Sequence, residues 1–400
     1  MPNLEQLSAQ EWRCASALAS IFFLRMLGLF MLLPVLALYA DRLEGATQIL
    51  IGAALGIYGL TQAIFQVPFG RWSDRVGRKP AITIGLLVFA AGGLIAAVSG
   101  HIIAIVMGRA VQGAGAISGA TLALAADLTR PNQRTKVMAI IGITIGFSFS
   151  IAFILGPLID AWIGLSGLFF CAAALGLLSI PILWVFVPSA DSQATIVEQT
   201  NPALPSRPAA ALVALYLGVF SLHAILAANF ISIPLLLTRE LALDSASHYT
   251  VYLPVLLASL FCVGPMIMAS HRSRYANLFF RIAIFLILCS DVLLLGLPTD
   301  RIYAGFALIL FFTGFNFLEA SLPSLVSQVA SSANRGTALG IYSSAQFIGM
   351  FVGGLGGGAI SGSWGYGAVF TAAALAGGTW LIATFILPIA GNISHPKKST

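Results

Sequence analysis

Long uninterrupted apolar runs fill almost the whole chain and limit its possible folds more than any other feature. A helix that crosses the hydrocarbon core of a bilayer needs about 20 apolar residues, whereas a membrane β-strand would alternate in polarity. Hydrophobic residues make up 58% of the 400 residues, more than a soluble domain can bury. The sequence therefore predicts an all-α polytopic membrane protein. Twelve transmembrane helices are expected, at 14–40, 48–70, 80–99, 102–126, 136–160, 166–187, 209–238, 247–270, 276–297, 302–328, 337–360 and 367–389.

The basic residues are distributed unevenly among the loops between these runs. If the N-terminus is cytoplasmic, fourteen of the 20 Lys and Arg residues lie on the cytoplasmic side, three lie on the opposite side and three lie inside spans. An excess of Lys and Arg in cytoplasmic loops is the usual rule for membrane proteins. We therefore expect a multi-pass protein of the cell inner (plasma) membrane with cytoplasmic N- and C-termini. The basicity then belongs to the lipid interface, and no nucleic-acid partner is expected.

Targeting and metal-binding signals are weak. The first apolar run is too long for the core of a cleavable signal peptide, so we expect it to remain as span one. The four cysteines lie in or beside apolar segments without metal-ligand spacing, and we expect free packing residues, no metal site and no cofactor. They are Cys14, Cys171, Cys262 and Cys289.

One long polar loop divides the chain into two halves that resemble each other. Residues 188–208 contain four prolines and are interpreted as a cytoplasmic linker between a six-helix half at 1–187 and another at 209–400. Arg134 begins "RTKVMAIIG" before span five, and Arg335, 201 residues later, begins "RGTALGIYS" before span eleven. A repeat of six-span halves is typical of transporters with a site at mid-membrane. Chance similarity of short apolar words is the alternative.

Glycines predict where helices approach one another closely. Pairs spaced by four occur at Gly52 and Gly56 and at Gly142 and Gly146, and span eleven is crowded with glycines from 349 to 358. Small residues at this spacing let membrane helices pack tightly, although glycine is also common in membrane helices generally. The Gly156–Pro157 pair in span five predicts a bend or hinge.

The turn "GRWSDRVGRKP" at 70–80 carries five charged residues in a chain that is only 8% charged. Arg71 and Arg75 suit the C-terminal end of span two, where the helix dipole favours cations. Arg78 and Lys79 lie at the start of span three, where the dipole disfavours them. Topology and anionic lipid head groups are the expected reason for those two. This reasoning leaves Asp74 unexplained.

Three stretches resemble motifs of the major facilitator superfamily. "GRWSDRVGRKP" is similar to its motif A, "RAVQGAGAISG" at 109–119 to its Arg-x-x-Gln-Gly motif B, and "GITIGFSFSIAFILGP" at 142–157 to a loosened motif C, the antiporter signature. The resemblance covers the whole chain and is greatest for the YajR-type branch of drug-and-proton antiporters, including "FNFLEASLPSLVSQ" at 315–328. It implies two pseudo-symmetric six-helix halves. That branch also carries a soluble C-terminal domain, which we do not expect here.

Motif A implies a conformational latch. By this resemblance Asp74 reaches the N-terminus of span eleven near Gly336 and Thr337, where an anion is favoured, and holds the halves together in the outward-open state. Asp127, at the end of span four, is expected to pair with Arg130 or Arg134. The latch residues expected from the motif and its surroundings are Gly70, Asp74, Arg75, Gly77, Arg78, Asp127 and Arg134.

Ionisable residues at bilayer depth are costly and are candidates for function. Glu319 in span ten is the strongest, because burial favours the protonated form of a carboxyl and lets it exchange protons. The alternative is a glutamate locked in a structural hydrogen bond. His223 in span seven is either a proton relay or a neutral histidine bonded to a carbonyl. Arg109 on motif B is implied to take part in proton coupling, or else braces helices.

The remaining polar residues within spans are assigned less specific roles. A substrate cavity is expected to be lined by Arg25, Gln112, Asn229 and Asn316, with Asn316 one turn from Glu319. Asp291 and Arg281 lie toward opposite ends of span nine, so we expect both to extend to the interface.

A proton-coupled exporter of amphipathic or apolar small molecules is the function that these features favour. A carrier of the same fold for a specific metabolite, by uptake or export, is the alternative. No catalytic constellation of an enzyme and no P-loop of an ATP-driven pump is present in the sequence. A channel is disfavoured by the two-half repeat. The expected partners are a small-molecule substrate, protons and the lipid bilayer, with the protein a monomer.

Overall fold

The structure, a computed structural model, describes residues 7–39, 42–130, 133–188, 209–270, 275–330 and 335–387. Short 3-10 helices at Leu36–Tyr39 and Ser245–Ser247 lie in two of the connections. The α-helices are α1 (Ala9–Phe30), α2 (Gln48–Val76), α3 (Arg78–Ala97), α4 (Ile102–Ala114), α5 (Ser118–Asp127), α6 (Arg134–Phe186), α7 (Ala209–Arg239), α8 (Tyr249–Ser270), α9 (Ala276–Leu294), α10 (Arg301–Val329), α11 (Arg335–Trp364) and α12 (Tyr366–Ile386).

Within the described ranges, eleven helical segments are long and apolar enough to cross a membrane. Helices α4 and α5 together form span four, and the 53-residue α6 contains spans five and six. The chain reverses within α6 at Gly164, which has a φ of 67°. Both arms of α6 accordingly run beside α1, with Gly156 against Met31 and Ala172 against Gly28. The expected twelve spans are therefore found, two of them as one hairpin.

Local sequence explains several helix ends. Ser8 and Glu11 form a capping box at the start of α1, and Asp300 accepts a hydrogen bond from the Tyr303 amide at the start of α10. The prediction of span one to residue 40 was wrong, because α1 ends at Phe30 and Pro34 follows in the turn. Gly77, with a φ of 93°, separates α2 from α3, and glycine allows this positive φ in the tight reversal between the two helices.

Helix α11 packs through glycine on two faces. One face lies against α7 of its own half, where a Cβ on Gly353 would come within 2.1 Å of the Ala224 carbonyl oxygen. The other face meets α2 of the opposite half, where a Cβ on Gly52 would come within 2.1 Å of the Gly354 carbonyl oxygen. Contact this close requires glycine, which confirms the packing expected of span eleven and of Gly52 and Gly56.

The other glycine predictions met different outcomes. A Cβ on Gly142 or on Gly146 would meet no atom within 4 Å, so the close packing expected of that pair is not found. A Cβ on Gly156 would lie 2.5 Å from the Met31 carbonyl oxygen, so that contact also requires glycine. The non-helical dihedral angles recorded inside α6 are those of Gly164. Gly156 therefore acts in this state as a packing residue.

The two halves touch at one end of the bundle and part at the other. We call the end where Val187 and Ala209 flank the linker the linker end, and the opposite end the far end. Toward the far end, Gln48 lies against Gly358 and Gly52 against Gly354. At the linker end, Cβ atoms on Gly70, Gly336 and Gly340 would meet nothing within 4 Å. The glycine contacts between the halves in the described ranges thus lie toward the far end, and we interpret the linker end as the open one.

Candidate functional site

An aromatic cluster closes the space between the halves on the far side of mid-membrane. Phe153 of α6 lies 4.7 Å from Phe230 and 5.5 Å from Tyr252 between ring centroids, and Phe149 lies 5.6 Å from Phe315. Aromatic rings at these separations pack favourably. We call this cluster the aromatic plug; it consists of Phe149 and Phe153 from the first half and Phe230, Tyr252, Phe312 and Phe315 from the second.

A polar cluster lies next to the plug on its linker side and joins three helices of the second half. His223 Nε2 of α7 lies 3.5 Å from Glu319 Oε2 of α10. Gln346 of α11 brings its Nε2 within 2.8 Å of His223 Nε2 and donates to Glu319 Oε1 at 3.3 Å. The His223 ring also packs against Phe315 of the plug, 5.8 Å between centroids. We call His223, Glu319 and Gln346 the coupling cluster.

The hydrogen bonds of His223 determine what this cluster can do with a proton. Its Nδ1 lies 3.1 Å from the Val219 carbonyl oxygen, so Nδ1 carries a hydrogen and donates it. In the neutral ring Nε2 is then an acceptor and takes a hydrogen bond from Gln346. A second proton on Nε2 would be donated toward the Glu319 carboxylate. The bond to the Val219 carbonyl is the one that the neutral-histidine alternative expected, whereas the role of His223 as a proton relay stays a prediction.

Glu319 is accessible although it lies deep in its helix. Its side chain keeps 33% of its surface exposed, whereas that of His223 keeps 5%. Ten residues separate Glu319 from the end of α10 at Val329, which is roughly 15 Å along the helix axis. Phe315, one turn earlier on the same face, contacts Phe149 of the opposite half. Phe315 thus places this face of α10 toward the opposite half, although Glu319 Oε2 itself is buried and has no hydrogen-bond partner among the described residues.

The first half holds two buried arginines around one tyrosine. Arg25 is 0% exposed and donates to Tyr58 Oη and Gln62 Oε1, both at 2.8 Å. Arg109 donates to the Ala54 carbonyl oxygen and to Gln112 Oε1, both at 3.1 Å, and lies 4.9 Å from the Tyr58 ring centroid. Acceptor oxygens and the ring face replace water around these cations.

This packing bears on the residues expected to line a substrate cavity. Arg25, Gln112 and Asn229 are each 0% exposed, so in this state none of them offers surface to a solute. Asn316 is half-buried and donates to Ser259 Oγ of α8 at 3.3 Å. Of the four residues, Asn316 is the one that keeps exposed surface and lies one turn from Glu319 on α10.

Asp291 does not extend to the interface, and that expectation was wrong. Its carboxylate is 0% exposed and accepts a hydrogen bond from Asn229 Nδ2 at 2.6 Å. Arg281, at the other end of α9, is half-buried and donates to the Thr384 carbonyl oxygen at 2.9 Å. Packing against α7 therefore decides the place of Asp291, which position along the helix alone could not show.

The charged turn at the linker end forms its ion pairs within the first half. Arg78 pairs with Asp74 one turn earlier and, through Nε, with Asp127 Oδ2 at 3.2 Å. Asp127 was expected to pair with Arg130 or Arg134. Arg130 instead pairs with Glu11 at 2.8 Å, and Arg134 Nε donates to the Ala126 carbonyl oxygen at 3.1 Å. Three of the expected latch residues thus meet in this state.

The other residues of the turn are placed as follows. Arg75 is exposed and Gly70 has open space beside it. Lys79 is buried and donates to the Val187 carbonyl oxygen at the end of α6. The assignment of Arg78 and Lys79 to topology and head groups alone was therefore incomplete. Both make specific contacts, and Lys79 satisfies a carbonyl at a helix C-terminus, where a cation is favoured.

At the far end, one carboxylate connects the two halves. Asp160 of α6 accepts from Tyr39 Oη at 2.6 Å and, through its other oxygen, from Ser245 Oγ of the second half at 2.9 Å. Burial and the hydrogen bond to Asp160 raise the pKa of Tyr39 to about 12, so its phenol stays a donor. This contact lies where the halves are closed.

The sequence identified two members of the coupling cluster and missed the third. Gln346 is a polar residue inside an apolar span, the same signal that singled out Glu319, but nothing in the sequence pairs it with His223. Asp160 was missed because it lies at a predicted span end, where a carboxylate is unremarkable. The contact of Tyr58 with two arginines was not predicted, because a tyrosine in an apolar run carries no signal of its cationic neighbours.

Comparisons with known proteins agree with this architecture. The sequence pattern of the Major Facilitator Superfamily matches residues 18–354. The Inner membrane transport protein YajR of Escherichia coli (strain K12) is 41% identical over 385 residues, covering 95% of this chain and 84% of that protein. Multidrug resistance protein 2 of Bacillus subtilis (strain 168) is 32% identical over 169 residues, 40% of each chain.

A solved structure supports the fold. The crystal structure of a bacterial homologue of the human lysosomal transporter Spinster, inward-facing and occupied, superposes with a TM-score of 0.74. It covers 95% of both chains at 13% sequence identity. At that identity the similarity concerns the fold alone.

Proposed function

This chain belongs to the major facilitator superfamily, a family of membrane transporters, and from that premise we propose that it exports amphipathic or apolar small molecules in exchange for protons. The observation that carries the proposal is the coupling cluster. A partly exposed glutamate inside span ten, 3.5 Å from a histidine and beside an aromatic plug, combines proton exchange with an apolar surface for the substrate.

Two further observations support this substrate class. The described surroundings of Glu319 are rich in aromatic side chains and poor in fixed charge, with Phe315 and Phe347 buried nearby on the same helices as Glu319 and Gln346. The partial similarity to a protein named for multidrug resistance agrees with it. Pockets that accept apolar molecules are lined mainly by such side chains with a few polar groups.

The charge distribution assigns the linker end to the cytoplasm. In that orientation the described state is open to the cytoplasm and closed at the far, outer side by the plug and by Asp160. Glu319 would release a proton to the cytoplasm in this state and accept a substrate beside it. After the halves rock, it would take up a proton from outside as the substrate leaves. The protonated and ionised forms of Glu319 interact differently with the two conformations. This difference couples the movement of protons to the movement of the substrate.

Motif A supplies the proposed latch for the opposite state. Asp74 now pairs with Arg78, and the space beside Gly336 at the start of α11 is empty. When the linker end closes, we expect Asp74 to reach that N-terminus, where an anion is favoured. Asp74, Arg78 and Asp127 then form one group whose pairing changes between states.

Replacing Asp74 tests the latch. We expect Asp74→Asn to slow transport by about five-fold or more, the lower end of typical coupling energies, while membrane insertion and substrate affinity stay near wild type. The measurements are initial transport rates in proteoliposomes and substrate binding to purified protein. Asp300→Asn is the matched control, because Asp300 is another carboxylate at a helix end and asparagine also caps helices. Wild-type turnover of Asp74→Asn would leave the turn with a topological role only.

A substrate screen tests the proposed function itself. Purified protein in proteoliposomes is given amphipathic drugs and, separately, polar metabolites, with and without an imposed pH gradient. The proposal expects drug movement that depends on the gradient and proton movement that depends on the drug. Gradient-independent transport, or transport confined to polar metabolites, would instead favour the metabolite carrier.

A further inference from the structure

A second carboxylate, remote from the coupling cluster, lies wholly inside the second half. Asp291 of α9 and Asn229 of α7 are both 0% exposed. Asn229 Nδ2 donates to Asp291 Oδ1 at 2.6 Å. Asn229 follows His223 by six residues on α7, about 9 Å along the helix toward the far end. The pair is therefore a separate polar site, enclosed by apolar helix surfaces on the far side of the coupling cluster.

The pair leaves two oxygens without partners. Among the described residues, Asp291 Oδ2 and Asn229 Oδ1 are buried and have no hydrogen-bond partner. Buried polar atoms in native proteins are almost always paired, so such orphans need an explanation. Both orphans are acceptors when the carboxyl is ionised. One proton on Asp291 Oδ2 would convert it into a donor and allow it to bond Asn229 Oδ1, which satisfies both atoms.

Electrostatics points in the same direction. An ionised carboxylate that is removed from water and lacks a cation is strongly destabilised, and in practice such a group is neutralised. Asn229 is the bonded partner that the described structure gives Asp291, and it is neutral. The titratable and charged residues on α7 to α12, the helices around the pair, are Tyr216, His223, Arg239, Tyr249, Tyr252, Cys262, Arg281, Cys289, Arg301, Tyr303, Glu319, Arg335, Tyr342 and Tyr366.

Three of these residues make contacts with groups other than the pair. His223 pairs with Glu319 in the coupling cluster, and the Arg239 guanidinium lies 5.6 Å from the centroid of the Tyr366 ring. The Tyr303 hydroxyl donates to the Leu293 carbonyl oxygen at 3.4 Å. No ion pair to Asp291 is found within the described ranges, so the charge of an ionised Asp291 would be uncompensated there.

We propose that Asp291 and Asn229 form a second proton-binding site, which carries its proton in the state described. A metal cation is a poorer occupant, because cations such as Ca²⁺ take six or more oxygens and this site offers the oxygens of two side chains beside an amide N–H. Asp291 holds its proton in the same state in which the Glu319 side chain is partly exposed. The two side chains therefore differ in exposure, 0% for Asp291 and 33% for Glu319.

The aromatic plug connects this site to the alternating movement. Phe230, the residue after Asn229, packs 4.7 Å from Phe153 of the first half. Opening the far end must break this contact, which frees α7 at the position of Asn229. Asp291 would then exchange its proton with the outer side, giving a second proton per cycle. This exchange step rests on the proposed proton coupling; the protonated state of Asp291 does not.

Infrared spectroscopy tests the protonated state without any transport. Spectra of purified Glu319→Gln and of the double variant Glu319→Gln/Asp291→Asn are recorded at neutral pH in ordinary and deuterated water. We expect the first to show the carbonyl band of a protonated carboxyl and the second to lack it. Identical spectra would overturn the proposal. Loss of the band when sodium chloride replaces choline chloride would also overturn it, because it would assign the site to a cation.

Two further measurements keep the test decisive. If the double variant does not fold, Glu319→Gln/Asn229→Ala removes the hydrogen bond and should shift the band, and an unshifted band counts against the site. The ratio of protons to substrate moved in proteoliposomes should fall in Asp291→Asn, and an unchanged ratio overturns the exchange step. Absence of substrate-linked proton movement in the wild type would instead refute the proposed function and leave the infrared result standing.

Discussion

Replacing Glu319 with glutamine should strongly slow transport driven by a pH gradient while leaving substrate exchange without a gradient largely intact. Glutamine is nearly isosteric and can still accept the hydrogen bond from Gln346, which reaches Glu319 Oε1 at 3.3 Å. It cannot bind or release a proton. Because the proton no longer distinguishes the two conformations, we expect gradient-driven transport to fall about tenfold or more, within the range of typical coupling energies.

The measurement compares two assays on the same proteoliposomes. Uptake driven by an imposed pH gradient reports coupling, and exchange of labelled for unlabelled substrate at equal pH reports the alternating movement. Glu44→Gln provides the control, since it makes the same chemical change at an exposed residue outside the spans. Gradient-driven uptake at the wild-type rate in Glu319→Gln would exclude Glu319 as the coupling residue. A loss of both activities would point to the structural role instead.

The second large effect is expected where α2 meets α11. A Cβ on Gly52 would lie 2.1 Å from the Gly354 carbonyl oxygen, so Gly52→Ala cannot be accommodated without moving the two halves apart at the far end. Overpacking of a tight contact costs about 1–3 kcal/mol. We therefore expect the equilibrium to shift toward the outward-open state and transport to fall by about fivefold to a hundredfold.

Two matched variants on α11 separate this effect from loss of stability. Gly356→Ala is the neutral control, because a Cβ there would meet no atom within 4 Å. Gly353→Ala would place its Cβ 2.1 Å from the Ala224 carbonyl oxygen inside the same half, and we expect it to lower the thermal stability instead. Modification of a cysteine introduced near the far end should increase in Gly52→Ala. If Gly52→Ala behaves like Gly356→Ala, the α2–α11 contact does not limit the cycle.

Much of the site could be predicted only one residue at a time. Glu319 and His223 are visible in the sequence because an ionisable residue inside an apolar run is costly whatever surrounds it. Their contact with Gln346 depends on the packing of three helices. His223 and Gln346 are 123 residues apart in the chain. Arg25, Gln112 and Asn229 are equally visible. The sequence does not show that each is enclosed within its own half in this state.

The same distinction applies to the charged residues near helix ends. From its position in the sequence, Asp291 was expected near the end of a span, and Lys79 was expected to face the lipid interface. Packing instead enclosed Asp291 against Asn229 and brought Lys79 to the last carbonyl of α6. Position along a helix is a local property of the sequence, whereas the direction a side chain faces depends on which helices surround it.

The sequence by itself determined the number of spans, their approximate ends, the charge asymmetry of the loops and the family resemblance. These follow from local rules, because a bilayer demands about 20 apolar residues per crossing regardless of tertiary contacts. The tertiary structure alone decided where the two halves touch, which glycines join them and which polar residues inside the spans meet one another. Those outcomes depend on helix register and rotation, which arise from packing between segments far apart in the chain.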